Sequence, residues 1–117
     1  MSSNRWADIY RHLERKGFDV YPPSRHKGEC TSRYIVLKID QSMQVGTFSS
    51  VSQSYDILLY IPNDEYSQLE DFVADFKTAM KELEPMIMPE HYQTPAYYDE
   101  SVNGHMVSIR YRNSRKL

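Results

Sequence analysis

The chain has 117 residues, a formal charge of −2 from 14 Lys+Arg against 16 Asp+Glu, and 40% hydrophobic residues. By length this is a single domain over 1–117, large enough to bury roughly two-thirds of the surface its unfolded chain exposes. The charge balance excludes a basic nucleic-acid coat and an acidic solvating tail, and the apolar runs are far too short for a bilayer span, so no membrane partner is expected. The N-terminus, MSSNRWADIY, lacks the apolar core of a signal peptide. A lone cysteine, Cys30, excludes an intrachain disulfide and fits a reducing compartment. Ten tyrosines against four phenylalanines suit surfaces that are wet at one time and buried at another, although sheets also favour aromatics.

Trp6, Ile9, Tyr10 and Leu13 recur at helical spacing and predict a first helix from about Ser3 or Asn4 to Lys16, stopped by Gly17. Phe18 to Tyr21 reads as extended, ended by Pro22-Pro23, and Ser24 to Thr31 reads as a polar loop. Arg33 to Asp40 alternates, with Ile35, Leu37 and Ile39 on one face and Tyr34, Val36 and Lys38 on the other. Residues 41–53 are rich in Ser, Gln and Gly, and predict a flexible loop or long hairpin connection carrying isolated Val45, Phe48 and Val51. Ser54 to Ile61 alternates again until Pro62. Leu69, Phe72, Val73, Phe76, Met80 and Leu83 then predict a second helix, with Ser67 and Glu70 at capping-box spacing and Pro85 beyond its end. Pro85 to Asn103 has little periodicity and reads as loop with one short strand. His105 to Arg112 reads as a closing strand and 113–117 as a frayed tail.

These elements predict an α+β domain in the order α-β-β-β-α-β: a mostly antiparallel sheet of about four strands with two helices on one face. The core face should hold Ile35, Leu37, Ile39, Tyr55, Ile57, Leu59, Ile61, Val107 and Ile109. The opposite face is not cleanly polar. Tyr34, Val36, Leu58, Tyr60 and Met106 share it, framed by Lys38, Asp56, Arg110 and Arg112. A water-facing sheet face alternates to polar residues, whereas an apolar centre with a charged rim resembles a partner contact. Tyr34, Val36, Leu58, Tyr60, Met106, Arg110 and Arg112 are therefore the candidate oligomer interface. The competing reading is that the segment 85–103 folds over this face.

No catalytic motif stands out. The four scattered glycines cannot build a phosphate cradle, and no nucleophile-elbow, P-loop or dinucleotide signature occurs. Cys30 has His26 four residues away in the same loop, but no third group to orient the pair. His26, Glu29 and Cys30 place three donor atoms in one loop, yet no metal-ligand spacing appears anywhere. His105 opens the last strand on its core side, where a hydrogen-bonded structural role fits best. The acids Asp64, Glu65, Glu70, Asp71 and Asp75 suit the N-terminal end and solvated side of the second helix. Arg110, Tyr111, Arg112, Arg115 and Lys116 mix basic and aromatic residues, but alternation splits them between two faces, so no sequence-specific nucleic-acid partner is expected. The residues thus read as an interaction protein: no enzyme, no catalytic or metal-binding residue, no cofactor.

Three stretches then suggest a family: KGFDVYPPSRHKGEC (16–30), YDILLYIPNDEYSQLEDFVADFKTAMKELEPMIMPE (55–90) and SVNGHMVSIRYRNSRKL (101–117). Together, and in this order, they resemble the small tail-completion proteins of siphophages and related prophages, also called tail terminators or head–tail joining proteins. The resemblance implies a helix-flanked sheet, no cofactor and no enzymatic activity. It implies a ring, typically a hexamer, that caps the end of a long non-contractile tail tube, stops its growth and joins it to the head connector. The expected partners are other copies of the chain, the tail-tube protein and the head connector or stopper. The expected location is the virion neck, after assembly in the bacterial host cytoplasm. The family lends no functional side chain to map onto this chain. Within that frame Val45, Phe48 and Val51 are the candidate docking loop, ordering on contact. The alternatives are a head-side neck or stopper protein, or a cytosolic module that binds protein or small ligand on the open sheet face. A small hydrolase or metal-dependent enzyme built on Cys30 and His26 is a third.

Overall fold

A computed structural model describes the backbone of residues 5–45 and 50–116, and side-chain surroundings over 5–40 and 53–113. The chain runs α1 (Trp6–Arg15), β1 (Val20–Tyr21), β2 (Tyr34–Val45), β3 (Ser50–Pro62), a 3₁₀ helix (Asn63–Gln68), α2 (Leu69–Lys81), β4 (Met88–Gln93), β5 (Tyr97–Asp99) and β6 (Gly104–Lys116). The class is α+β, as the alternation and helical periods predict. The sheet has six strands among the described residues, in the order β1-β2-β3-β6-β4, with β5 also paired to β6. Only β1 and β2 pair in parallel; the other pairs are antiparallel. Among the described residues no helix is long and apolar enough to cross a membrane.

Both helices lie on one face. Ile9 and Leu13 of α1, and Phe72, Phe76 and Met80 of α2, join Ile35, Leu37, Tyr55, Ile57, Leu59, Ile61, Val107 and Ile109 in one buried core. Eight of the nine sheet residues expected there are buried; Ile39 is 44% exposed. Trp6, at the start of α1, donates its indole N–H to the Leu37 carbonyl at 2.8 Å. Ile39 lies two residues further along β2, past the point where the helix begins, so alternation turns it inward with no helix above it. His12 couples the helices: its Nε2 lies 2.7 Å from the Ala79 carbonyl, in buried surroundings.

Helix boundaries follow local chemistry in one case and override it in another. Gly17 has φ +94°, and the N–H groups of Gly17 and Phe18 donate to the carbonyls of Glu14 and Leu13. That is a Schellman stop, which needs a left-handed residue. At α2 the predicted capping box is replaced. Gln68 is the N-cap and makes no side-chain cap hydrogen bond. The 3₁₀ helix leads directly into α2, so its backbone carbonyls take the place of a Ser67 cap.

Three further expectations change. The segment read as a flexible loop or long hairpin connection over 41–53 pairs as strand at both ends: β2 runs to Val45 and β3 starts at Ser50, with a register shift between Ile39 and Ser42. The tail read as frayed is also strand, since Asn113 to Lys116 pair with Gln53 to Ser50. Polar residues pair as strands here because Ser50 to Gln53 of β3 ladder with β2 on one side and β6 on the other, which hydrophobic alternation does not advertise. Finally, Pro85 to Asn103 carries two strands, β4 and β5, where one was expected. These lie in the plane of the sheet beside β6 and do not fold over its free face.

Candidate functional site

The face away from the helices is arranged in cross-strand rows. Pairing places Tyr34, Tyr60, Met106 and Tyr97 side by side across β2, β3, β6 and β5. The next row is Val36, Leu58 and Ser108. The one after it is Lys38, Asp56, Arg110 and Tyr92. Arg112, paired with Ser54 and Met88, follows. All seven residues of the candidate interface therefore share one face, because residues directly opposite in a ladder project to the same side.

The rows differ in character. At the first, Tyr34 stacks on Tyr60 with centroids 4.7 Å apart, and His26 stacks on Tyr34 at 3.7 Å. Tyr21 meets both His26 and Tyr34 edge-on. Tyr21 and His26 thus flank Tyr34, which is only 4% exposed, and Met106, between Tyr60 and Tyr97 in the same row, is only 6% exposed. Tyr34 and Met106 are accordingly a floor and not a contact surface, which corrects their sequence-based role. Burial pushes the phenols of Tyr34 and Tyr60 up, with neighbouring ionisable groups including Asp99 adding to it. The open apolar ground is Val36, Leu58 and Tyr60, all half-buried, with no helix above them.

The polar rows are networked. The Ser108 hydroxyl donates to Asp56, and the Ser54 hydroxyl donates to Glu90 at 2.7 Å. Arg110 lies 3.5 Å from Asp40 and places its guanidinium 4.8 Å from the Tyr92 ring centre, while its buried Nε has no hydrogen-bond partner. Lys38 and Arg112 are exposed at the margin. The face offers an apolar strip bounded by an aromatic end and a charged end. Its chemistry is that of surface recognition.

The Cys30–His26 pair is arranged differently from a nucleophile and its base. Cys30 is 4% exposed, and its thiol lies 3.4 Å from the Ser32 carbonyl. Burial, with the Glu65 carboxylate adding to it, pushes the thiol up to about 11. Activation requires the opposite shift. His26 is committed to the Tyr34 ring. Cys30 instead packs against the turn before β6, where its N–H donates to the Val102 carbonyl at 2.7 Å. His105 is hydrogen-bonded as expected, with Nε2 2.9 Å from Asn63 Oδ1, between the rings of Tyr66 and Tyr98.

Of the candidate docking loop, Val45 closes β2 and Val51 lies in β3, while Phe48 lies outside the described residues. Sequence reasoning missed His26, Tyr21, Tyr92 and Tyr97 as parts of this face. The last two sit on strands without alternation, so only the pairing with β6 reveals their side. No family model matches this chain, and no curated protein matches it.

Proposed function

We propose that this chain is a structural virion protein that caps the end of a long non-contractile phage tail tube and joins it to the head connector, as a hexameric ring. The reading begins from the likeness of residues 16–30, 55–90 and 101–117 to tail-completion proteins. The observation that carries it physically is the sheet face left without a helix layer: Val36, Leu58 and Tyr60 at its centre, Lys38 and Arg112 exposed at its edge. A two-layer domain that leaves one face half-apolar gains by burying it against another surface. A ring closes through two different patches per copy, and this face serves as one of them. Val45 at the end of β2 and Val51 at the start of β3, with Phe48 of the sequence between them, are the residues assigned to the tube or connector.

Native mass spectrometry over a concentration series tests the assembly. The expected result is a closed ring, six copies, carrying no ion or small molecule. A strict monomer with a bound ligand overturns it. A bare monomer that also fails to assemble on purified tail tubes overturns it as well. Docking is tested separately by replacing Val45 and Phe48 with Ser. The variant should keep the free protein's ring or monomer state and lose attachment to tails, and normal particles would remove the hairpin from the proposal.

A further inference from the structure

A groove of about 350 Å³ lies on the helix side of the sheet, between the start of α2 and the segment that joins β4 to β5. Its floor is apolar: Leu69 and Val73 of α2 and Val107 of β6 are all buried. Pro95 and Ala96 form the opposite wall, and Tyr66 of the 3₁₀ helix stands at the lip, 53% exposed. Tyr66 also begins a row of rings. Its ring centre lies 4.5 Å from that of His105, which lies 5.4 Å from that of Tyr98. Tyr98 is 44% exposed. Floor and row share one face of the sheet, since His105 is two residues before Val107 on β6 and Tyr98 is opposite His105 on β5. Two residues along a strand span about 7 Å, which is also the spacing of same-side residues in an extended peptide.

The charge around the groove has one sign. Glu70 is the one charged residue on its lining. Asp64 lies two residues before Tyr66, and Asp99 and Glu100 follow Tyr98. Asp99 is taken by Ser101, but among the described residues Asp64, Glu70 and Glu100 enter no ion pair. Arg33 is already bound to Glu65 and Gln68. Acids at a helix start are ordinary by themselves. Here they border an apolar seat and exposed tyrosine rings, and a cation is drawn both to a carboxylate and to a ring face. A neutral apolar ligand would fill the seat and leave the acids unused. A phosphate or an acidic segment would be repelled by Glu70.

We propose that this groove docks an extended segment of another protein that carries an apolar side chain and, two residues away, an arginine or lysine. The apolar side chain sits on Leu69, Val73 and Val107; the cation sits against Tyr66, with Glu70 as its counter-charge. Extended segments are commonly read in this way, by seats for alternate side chains. The groove is on the opposite side of the sheet from Val36, Leu58 and Tyr60 and does not rest on the ring reading.

The test is an NMR titration of the isotope-labelled full chain with the peptide acetyl-Ser-Leu-Ser-Arg-Ser-amide. Saturable shifts are expected at the amides of Tyr66, Val73, Ala96 and Val107. Tyr66→Leu keeps an apolar side chain but removes the ring, and should weaken binding about three- to tenfold. Glu70→Gln should weaken it about threefold and reduce its salt dependence. Both residues are exposed, so both variants should fold, which circular dichroism checks; Glu70→Gln alone carries the comparison if Tyr66→Leu unfolds. Absence of saturable shifts overturns the proposal, as do shifts confined to the open sheet face. Equal affinity for the peptide with Glu in place of Arg overturns the role of charge, and equal affinity with Ser in place of Leu overturns the apolar seat. Arginine amide that binds as tightly as the peptide reduces the groove to a cation site and overturns the docking of a segment.

Discussion

Tyr55 joins three distant parts of the chain. Its ring is fully buried, its hydroxyl donates to Asn113 Oδ1 at 2.6 Å, and it accepts the Arg5 N–H at 2.5 Å. The entry to α1 is thereby fixed to β3 and β6. Tyr55→Phe keeps the packing and removes both bonds, so it should cost about 1–3 kcal/mol, read as a lower urea midpoint at unchanged m-value. Cys30 and Tyr111 give the protein a pH dependence on the alkaline side. Burial, the largest cause for each, raises the thiol from 9.0 to about 11 and the phenol from 10.0 to about 12. Both groups are acids held neutral in the fold and ionising more easily when unfolded. Their contribution is therefore complete below pH 9 and is lost as pH rises through 11 and 12. Equilibrium unfolding across that range should show falling stability, and Cys30→Ala should flatten the early part of the fall. With a disulfide reagent at neutral pH, the native thiol should react slowly until denaturant opens the fold.

At the scale of elements, the joint between the loop after β1 and the start of β6 is the most sensitive. A Cβ on Gly104 would lie 2.9 Å from Cys30 Cβ and 2.9 Å from the Ile61 carbonyl oxygen. Neither neighbour is the tip of a flexible side chain. Gly104→Ala should destabilise by about 1–3 kcal/mol, measurable by thermal or urea unfolding. It should also loosen the loop that seats His26 on Tyr34, seen as faster amide exchange over 24–31. Elements were legible in proportion to their pattern. Leu69 to Met80 declares a helix through its apolar period, and Ile57, Leu59 and Ile61 declare a strand. The stop at Gly17 is readable because a left-handed backbone favours glycine. β4 and β5 were not fully readable. Pro89 and the register shift interrupt alternation on β4, and β5 has only three residues. Strand character there comes from hydrogen bonding to β6 and not from the segment's own residues.

For the whole molecule, the decisive feature is the asymmetry between the two faces of the sheet. One is sealed by α1 and α2; on the other, among the described residues, His26 of the loop after β1 stacks on Tyr34 at one end. Leu58 sits in the uncovered part, between Val36 and Ser108. Leu58→Lys should leave circular dichroism and monomer stability nearly unchanged, since Leu58 is only half-buried, while abolishing the proposed ring in native mass spectrometry. A ring that persists in that variant removes the open face from the interface. The molecule measures 48 Å in its longest dimension against 25 and 24 Å in the others.

The sequence by itself determined the class, both helices, the three central strands and the composition of each sheet face. Local periodicity encodes which side of an element meets the core, so Tyr34, Val36, Leu58, Tyr60, Met106, Arg110 and Arg112 could be assigned to one face before any pairing was known. Only the tertiary structure decided what covers that face. Burial of Tyr34 depends on His26 stacking from the loop after β1, and Met106 lies between Tyr60 and Tyr97 of two other strands. Exposure of Ile39 depends on where α1 begins. These are contacts between segments distant along the chain, and no single stretch of residues carries them.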